Sequence, residues 1–137
     1  MTTSPMKSIA AFALAALLIV LAGCADKASP DNVDRRSVER WNYLIAHQAE
    51  KAYDYLTPGF RATQPRDIYA AAMNTRPVQW TSVKFNHKEC DAERCTVGVD
   101  VTYSITLPHF GRPTEGSRLQ TETWIRIKGA WYFLPSD

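Results

Sequence analysis

The chain has 137 residues, 16 Lys+Arg against 14 Asp+Glu, 45% hydrophobic residues and three cysteines. That length suits one domain, and a formal charge of +2 excludes a polybasic nucleic-acid binder and an acidic disordered tail alike. Six glycines and eight prolines are too few for a collagen-like or low-complexity chain.

The first element is apolar. Lys7 is the only charge before Asp26, and Ile9 to Ala22 is an unbroken apolar run. As a helix this run spans roughly 21 Å, short of the ~20 residues that a hydrocarbon core requires. It fits the h-region of an export signal, for which Met1 and Met6 are alternative starts. The run closes on Leu21-Ala22-Gly23-Cys24, which resembles the lipobox of bacterial lipoproteins at all four positions. The resemblance implies cleavage between Gly23 and Cys24, a diacylglycerol on the Cys24 thiol and an acyl chain such as palmitate on the new amine. Three chains exceed the two signals needed for stable anchoring. Ala25 then stands where an aspartate would favour the inner membrane. The resemblance therefore implies an outer-membrane lipid anchor facing the periplasm. The expected organisation is a leader over 1–23, a tether over 24–30 and one domain over 31–137.

Ser29 and Pro30 are expected to open the first helix. Val38, Trp41, Leu44 and Ile45 form its apolar stripe, with Arg35, Arg36, Glu39, Arg40 and Asn42 on the other face. The stripe loses phase at His47-Gln48, and Ala49, Ala52, Tyr53 and Leu56 repeat as a second short helix that Thr57-Pro58-Gly59 stops. A third helix is expected from Thr63 to Asn74, with Ile68, Tyr69, Ala72 and Met73 on its apolar face.

From Val78 the period becomes two. Thr96 to Leu107 alternates throughout, with Val97, Val99, Val101, Tyr103, Ile105 and Leu107 on one face. Val83, Phe85 and His87 share one parity in the preceding strand while Val78 and Trp80 have the other, which predicts a bulge near Thr81-Ser82. Pro108 to Ser117 reads as a long loop, Leu119 to Lys128 as a strand, and Gly129-Ala130 as a type II′ turn into an edge strand Trp131–Leu134.

With Cys24 committed, Cys90 and Cys95 remain, flanking a short polar segment that reads as a hairpin loop. In an oxidising compartment such a pair closes as a disulfide. The rival is a metal site using His87, but a structural zinc needs four ligands, and His47 and His109 lie on other segments. No metal and no cofactor is expected.

Helices followed by an antiparallel meander make an α+β domain, its N-terminal helices covering a curved sheet of about four strands. Arg40-Trp41-x-x-Leu44-Ile45, Lys51 to Arg61, Trp80, the Cys90–Cys95 hairpin, Glu122-x-Trp124 and Trp131-Tyr132-Phe133 together resemble the nuclear-transport-factor-2-like superfamily, a cystatin-like α+β cone, as found in small bacterial lipoproteins. The superfamily's usual short strand between the second and third helices is not evident. The resemblance implies a cavity between sheet and helices, which some members use for isomerase or dehydratase chemistry and many use only for binding.

An isomerase on this fold needs an inward carboxylate base with a tyrosine in reach. Asp100 has the parity away from the helices, Asp54 lies off its helix stripe, and Glu122 shares the parity of Trp124 and is expected beside that ring. No nucleophile triad is readable. Trp41, Tyr53, Tyr69 and Trp80 are the candidate cavity residues. Trp124, opposite in parity to Ile125 and Ile127, is expected on the exposed sheet face as a partner or homodimer surface. These features favour a lipid-anchored envelope protein that binds a partner or small ligand without catalysis, with a small-molecule isomerase or lyase as the alternative.

Overall fold

The computed structural model describes residues 32–109 and 111–136. The leader, the Gly23–Cys24 junction, the tether and the Ser29-Pro30 helix start lie outside them. The order is helices first: α1 (Val33–Ile45), α2 (Ala49–Ala52) continuing into a 3₁₀ turn (Tyr53–Tyr55), α3 (Pro58–Thr63) and α4 (Arg66–Asn74). Four strands follow, β1 (Gln79–Cys90), β2 (Arg94–Thr106), β3 (Pro113–Ile127) and β4 (Ala130–Leu134). They form one antiparallel sheet in the order β1-β2-β3-β4. The α+β class and the helix-covered meander agree with the sequence patterning.

The helix α1 buries Val33, Ser37, Arg40, Trp41 and Leu44. This face is turned from the expected one: Val38 and Ile45 are only half-buried, and Arg40, expected on the solvated side, is 3% exposed. Thr57-Pro58 does not merely stop a helix. The Thr57 hydroxyl accepts the Phe60 N–H and Pro58 occupies the first turn, so the same residues open α3. Leu56 makes a single parallel bridge to Phe133, and the Thr57 N–H donates to the Phe133 carbonyl at 3.0 Å. That bridge lies between the 3₁₀ turn and α3. On α4, Tyr69 is buried and Met73 half-buried, whereas Ile68 is 54% exposed and Ala72 is exposed, so the expected apolar face is only partly used.

In β2, Val97, Val99 and Val101 are buried against the helices, as their alternation requires. The register of β1 shifts between Trp80 and Ser82, where a bulge is expected, and again between Phe85 and His87. The second shift moves His87 off the parity of Phe85 and lays its ring across Gly98, where a β-carbon would collide with it. Strand β3 starts at Pro113, not Leu119. Residues expected in a loop instead extend the ladder, with Thr106 opposite Pro113 and Tyr103 opposite Gly116. Proline is tolerated there because it is the first residue of the strand, and Gly116 leaves room for the Tyr103 ring. The last turn sits one residue earlier than expected. Lys128 and Gly129 have φ of 48° and 79°, the doubly left-handed pattern of a type I′ turn.

Cys90 and Cys95 are joined as a disulfide at the tip of the β1–β2 hairpin, so neither of these two sulfurs is a free thiolate. Closing so short a loop is worth ~2 kcal/mol in the chain-entropy model. Trp124 and Trp131 are fully buried and Trp41 is 7% exposed. Each ring removes roughly 150–250 Å² from water, on the order of 4–6 kcal/mol at about 25 cal/mol per Å². The indoles are therefore the main apolar payload of the core.

Candidate functional site: a saturated carboxylate beside an open cavity

Position 122 falls on the inner face of β3, opposite Val97. Its carboxylate is buried, 3% exposed, and receives donors from two elements. From α1, Ser37 Oγ donates to Oε2 at 2.5 Å, Arg40 Nη1 to Oε1 at 2.7 Å and Trp41 Nε1 to Oε1 at 2.8 Å. From β3, Trp124 Nε1 donates to Oε2 at 2.9 Å. Four donors match the four or so lone-pair sites of a carboxylate. Sequence reasoning placed Glu122 beside the Trp124 ring correctly but put both on the wrong face. Trp124 is fully buried, not an exposed interface residue.

Arg40 is fixed twice. One nitrogen is held by Glu122, and the guanidinium carbon stands 3.9 Å from the Phe133 ring centroid. Phe133 in turn meets Trp124 at 5.9 Å between centroids. The Arg40 Nε is buried and finds no hydrogen-bond partner among the described residues.

Arg40 also lines two neighbouring cavities. The larger, about 610 Å³, is walled by Trp41, Leu44, Met73, Trp80 and Ile105, with Arg76, Arg118 and Gln120 also lining it. Trp41 and Trp80 meet edge-to-face at 5.3 Å. The smaller, about 410 Å³, lies between α3, α4 and β4 and includes Tyr69, Met73, Arg76 and Phe133. The Tyr69 hydroxyl there is buried without a partner among the described residues.

Of the expected cavity residues, Trp41 and Trp80 therefore line one space and Tyr69 the next. Tyr53 lines neither. Its hydroxyl lies 3.0 Å from the Arg61 carbonyl and 2.6 Å from that of Gln64, tying the 3₁₀ turn to α3. Arg40, Arg76 and Arg118 were not singled out from the sequence.

The other acids have surface roles. The hydrogen bond from Arg66 holds the Asp54 carboxyl below the usual range, at 2.6 Å on an exposed face. Asp100 accepts from Asn86 Nδ2 at 2.8 Å on the outer sheet face. Beside Trp124, burial pushes the Tyr55 hydroxyl up to about 12, aided by the negative charge of Glu39. Among the described residues no cluster of three or more His, Cys, Asp or Glu side chains could hold a metal ion, and no helix is long and apolar enough to cross a membrane.

Solved structures share this arrangement. A SEC-C motif containing protein from Rhodopseudomonas palustris superposes with a TM-score of 0.59 at 17% identity, over 82% of this chain and 80% of that one. A protein described as an NTF2-like transpeptidase from Campylobacter jejuni gives 0.52 at 13% identity, over 77% and 99%. The chain has the nuclear-transport-factor-2-like cone fold. Aln2 from a Streptomyces species gives 0.52 at 14% identity, over 77% and 87%. At these identities the likeness is one of fold alone. No family model and no curated protein sequence matches the chain.

Proposed function

We propose that the chain is a lipid-anchored cell-envelope protein whose cone holds a small ligand in the cavity beside Arg40 and does no chemistry on it. The observation that carries this reading is the contrast around Glu122. The one buried acid among the described residues already accepts four hydrogen bonds, none of them from a tyrosine. A general base must accept a proton from substrate in hydrogen-bond reach, and this carboxylate has no site left to do so. Next to it, an apolar cavity of about 610 Å³ falls within the usual 300–1,000 Å³ of small-molecule sites. Its polar lining groups are Arg40, Arg76, Arg118 and Gln120. The isomerase or lyase alternative would need a carboxylate that the cavity does not offer.

Met73 lines both cavities and is one of three methionines, the others being Met1 and Met6. In the ¹³C-methyl-methionine spectrum of the full chain, the Met73 resonance is expected to shift and saturate on titration with small aryl and alkyl fragments. A Met73 signal unmoved by every fragment at millimolar concentration contradicts binding there.

The anchor and the outer-membrane, periplasm-facing location rest on the Leu21–Cys24 lipobox. Cys24→Ser is expected to leave uncleaved precursor and abolish acyl labelling. Unchanged processing would overturn the anchor without touching the cavity.

A further inference from the structure

We propose that the Trp41–Trp80 cavity selects an amphipathic oxyanion, a carboxylate or phosphate monoester carried on a small aryl or alkyl body; this rests on the cavity-binding reading above. Three cationic side chains line the space, Arg40, Arg76 and Arg118, and no acidic side chain does. The charge of Arg40 is matched by Glu122 behind it. Arg76 and Arg118 form no ion pair with a described carboxylate, in contrast to Arg61 and Arg66, which both meet Asp54. The Arg76 guanidinium stands over the Trp80 ring, 5.9 Å from its centroid.

Two guanidiniums without counterions at one cavity attract an anion, and low-dielectric walls strengthen that field. Their planar forks match carboxylate and phosphate oxygens. Apart from Gln120, the rest of the lining is apolar or aromatic, suited to a hydrocarbon or ring but not to a fully solvated ion. An oxyanion on an apolar body satisfies both features together, because a neutral apolar body would leave Arg76 and Arg118 without a counterion.

Equilibrium dialysis of the full chain against 4-phenylbutyrate, phenyl phosphate and the neutral 4-phenylbutyramide tests this. At least one anion is expected to bind tenfold or more tighter than the amide, and the tighter of the two identifies the head group. The double substitution Arg76→Gln, Arg118→Gln is expected to bring the anions down to the level at which the same variant binds the amide. Both positions are exposed, so the melting temperature of this variant serves as its folding control. Amide binding as tight as that of both anions overturns the oxyanion proposal and leaves the cavity reading standing. Absence of binding by all three probes at millimolar concentration overturns both.

Discussion

At the scale of single residues, Glu122 decides the character of the site. A buried carboxylate and a buried guanidinium together gain little net stability, but removing one partner strands the other charge. Glu122→Gln keeps the shape and removes the counter-charge of Arg40, while its amide N–H₂, in place of one oxygen, confronts either the Arg40 and Trp41 donors or the Trp124 donor. The substitution is expected to cost roughly 3–5 kcal/mol, read from the urea midpoint of the full chain. A loss below about 1 kcal/mol would mean that the carboxylate is not structural. The sequence could not reveal this role, because α1 carries Ser37 and Arg40 on its buried face, where the usual apolar rule does not place them. Only the pairing of Glu122 with Val97 across the sheet brings the acid to them. Trp124 was misplaced for a related reason. Ile125 and Ile127 were taken to mark the core face, yet they are half-buried beside α3, near Thr57, Phe60 and Leu134. The parity of Trp124 otherwise holds Gln120, Glu122, Arg126 and Lys128, so alternation alone favours the opposite face.

At the scale of elements, legibility follows how local the cause is. The β2 alternation, the first β1 bulge and the Cys90–Cys95 hairpin were readable because each is set by neighbours in sequence. The second bulge was not, because it depends on the His87 ring finding room over Gly98 on another strand. The early start of β3 was hidden by Pro113 and Gly116, which read as loop residues. Both are accommodated by the long β2, the first as a strand opener and the second beneath Tyr103. The final turn slipped by one residue because Gly129 serves the second position of a type I′ turn, not the first of a type II′. On α4, three consecutive alanines blurred the apolar face, leaving Tyr69 to mark it.

At the scale of the molecule, the fold was legible and the purpose of the cavity was not. Element order and the shift of hydrophobic period define a helix-covered sheet, and the likeness to solved cones agrees. Which spaces stay open depends on side chains from α1, α4, β2 and β3 meeting in three dimensions, and no linear pattern announces that Arg76 and Arg118 share a rim. The molecule thus divides its polar groups between two tasks. Glu122 locks α1 to the sheet, while Arg76 and Arg118 beside it line space that a ligand can fill. The claim most exposed to test is that this lock is closed in solution. Among the four tryptophans, Trp41 and Trp124 donate their indole N–H to Glu122, and half-buried Trp80 lines the cavity. Hydrogen exchange of the indole N–H groups, followed in ¹⁵N-tryptophan spectra of the full chain, is predicted to show Trp41 and Trp124 protected to the level of global unfolding and Trp80 exchanging far faster. Trp41 and Trp124 exchanging as quickly as Trp80 would contradict the account, because Glu122 would then be free to meet a substrate.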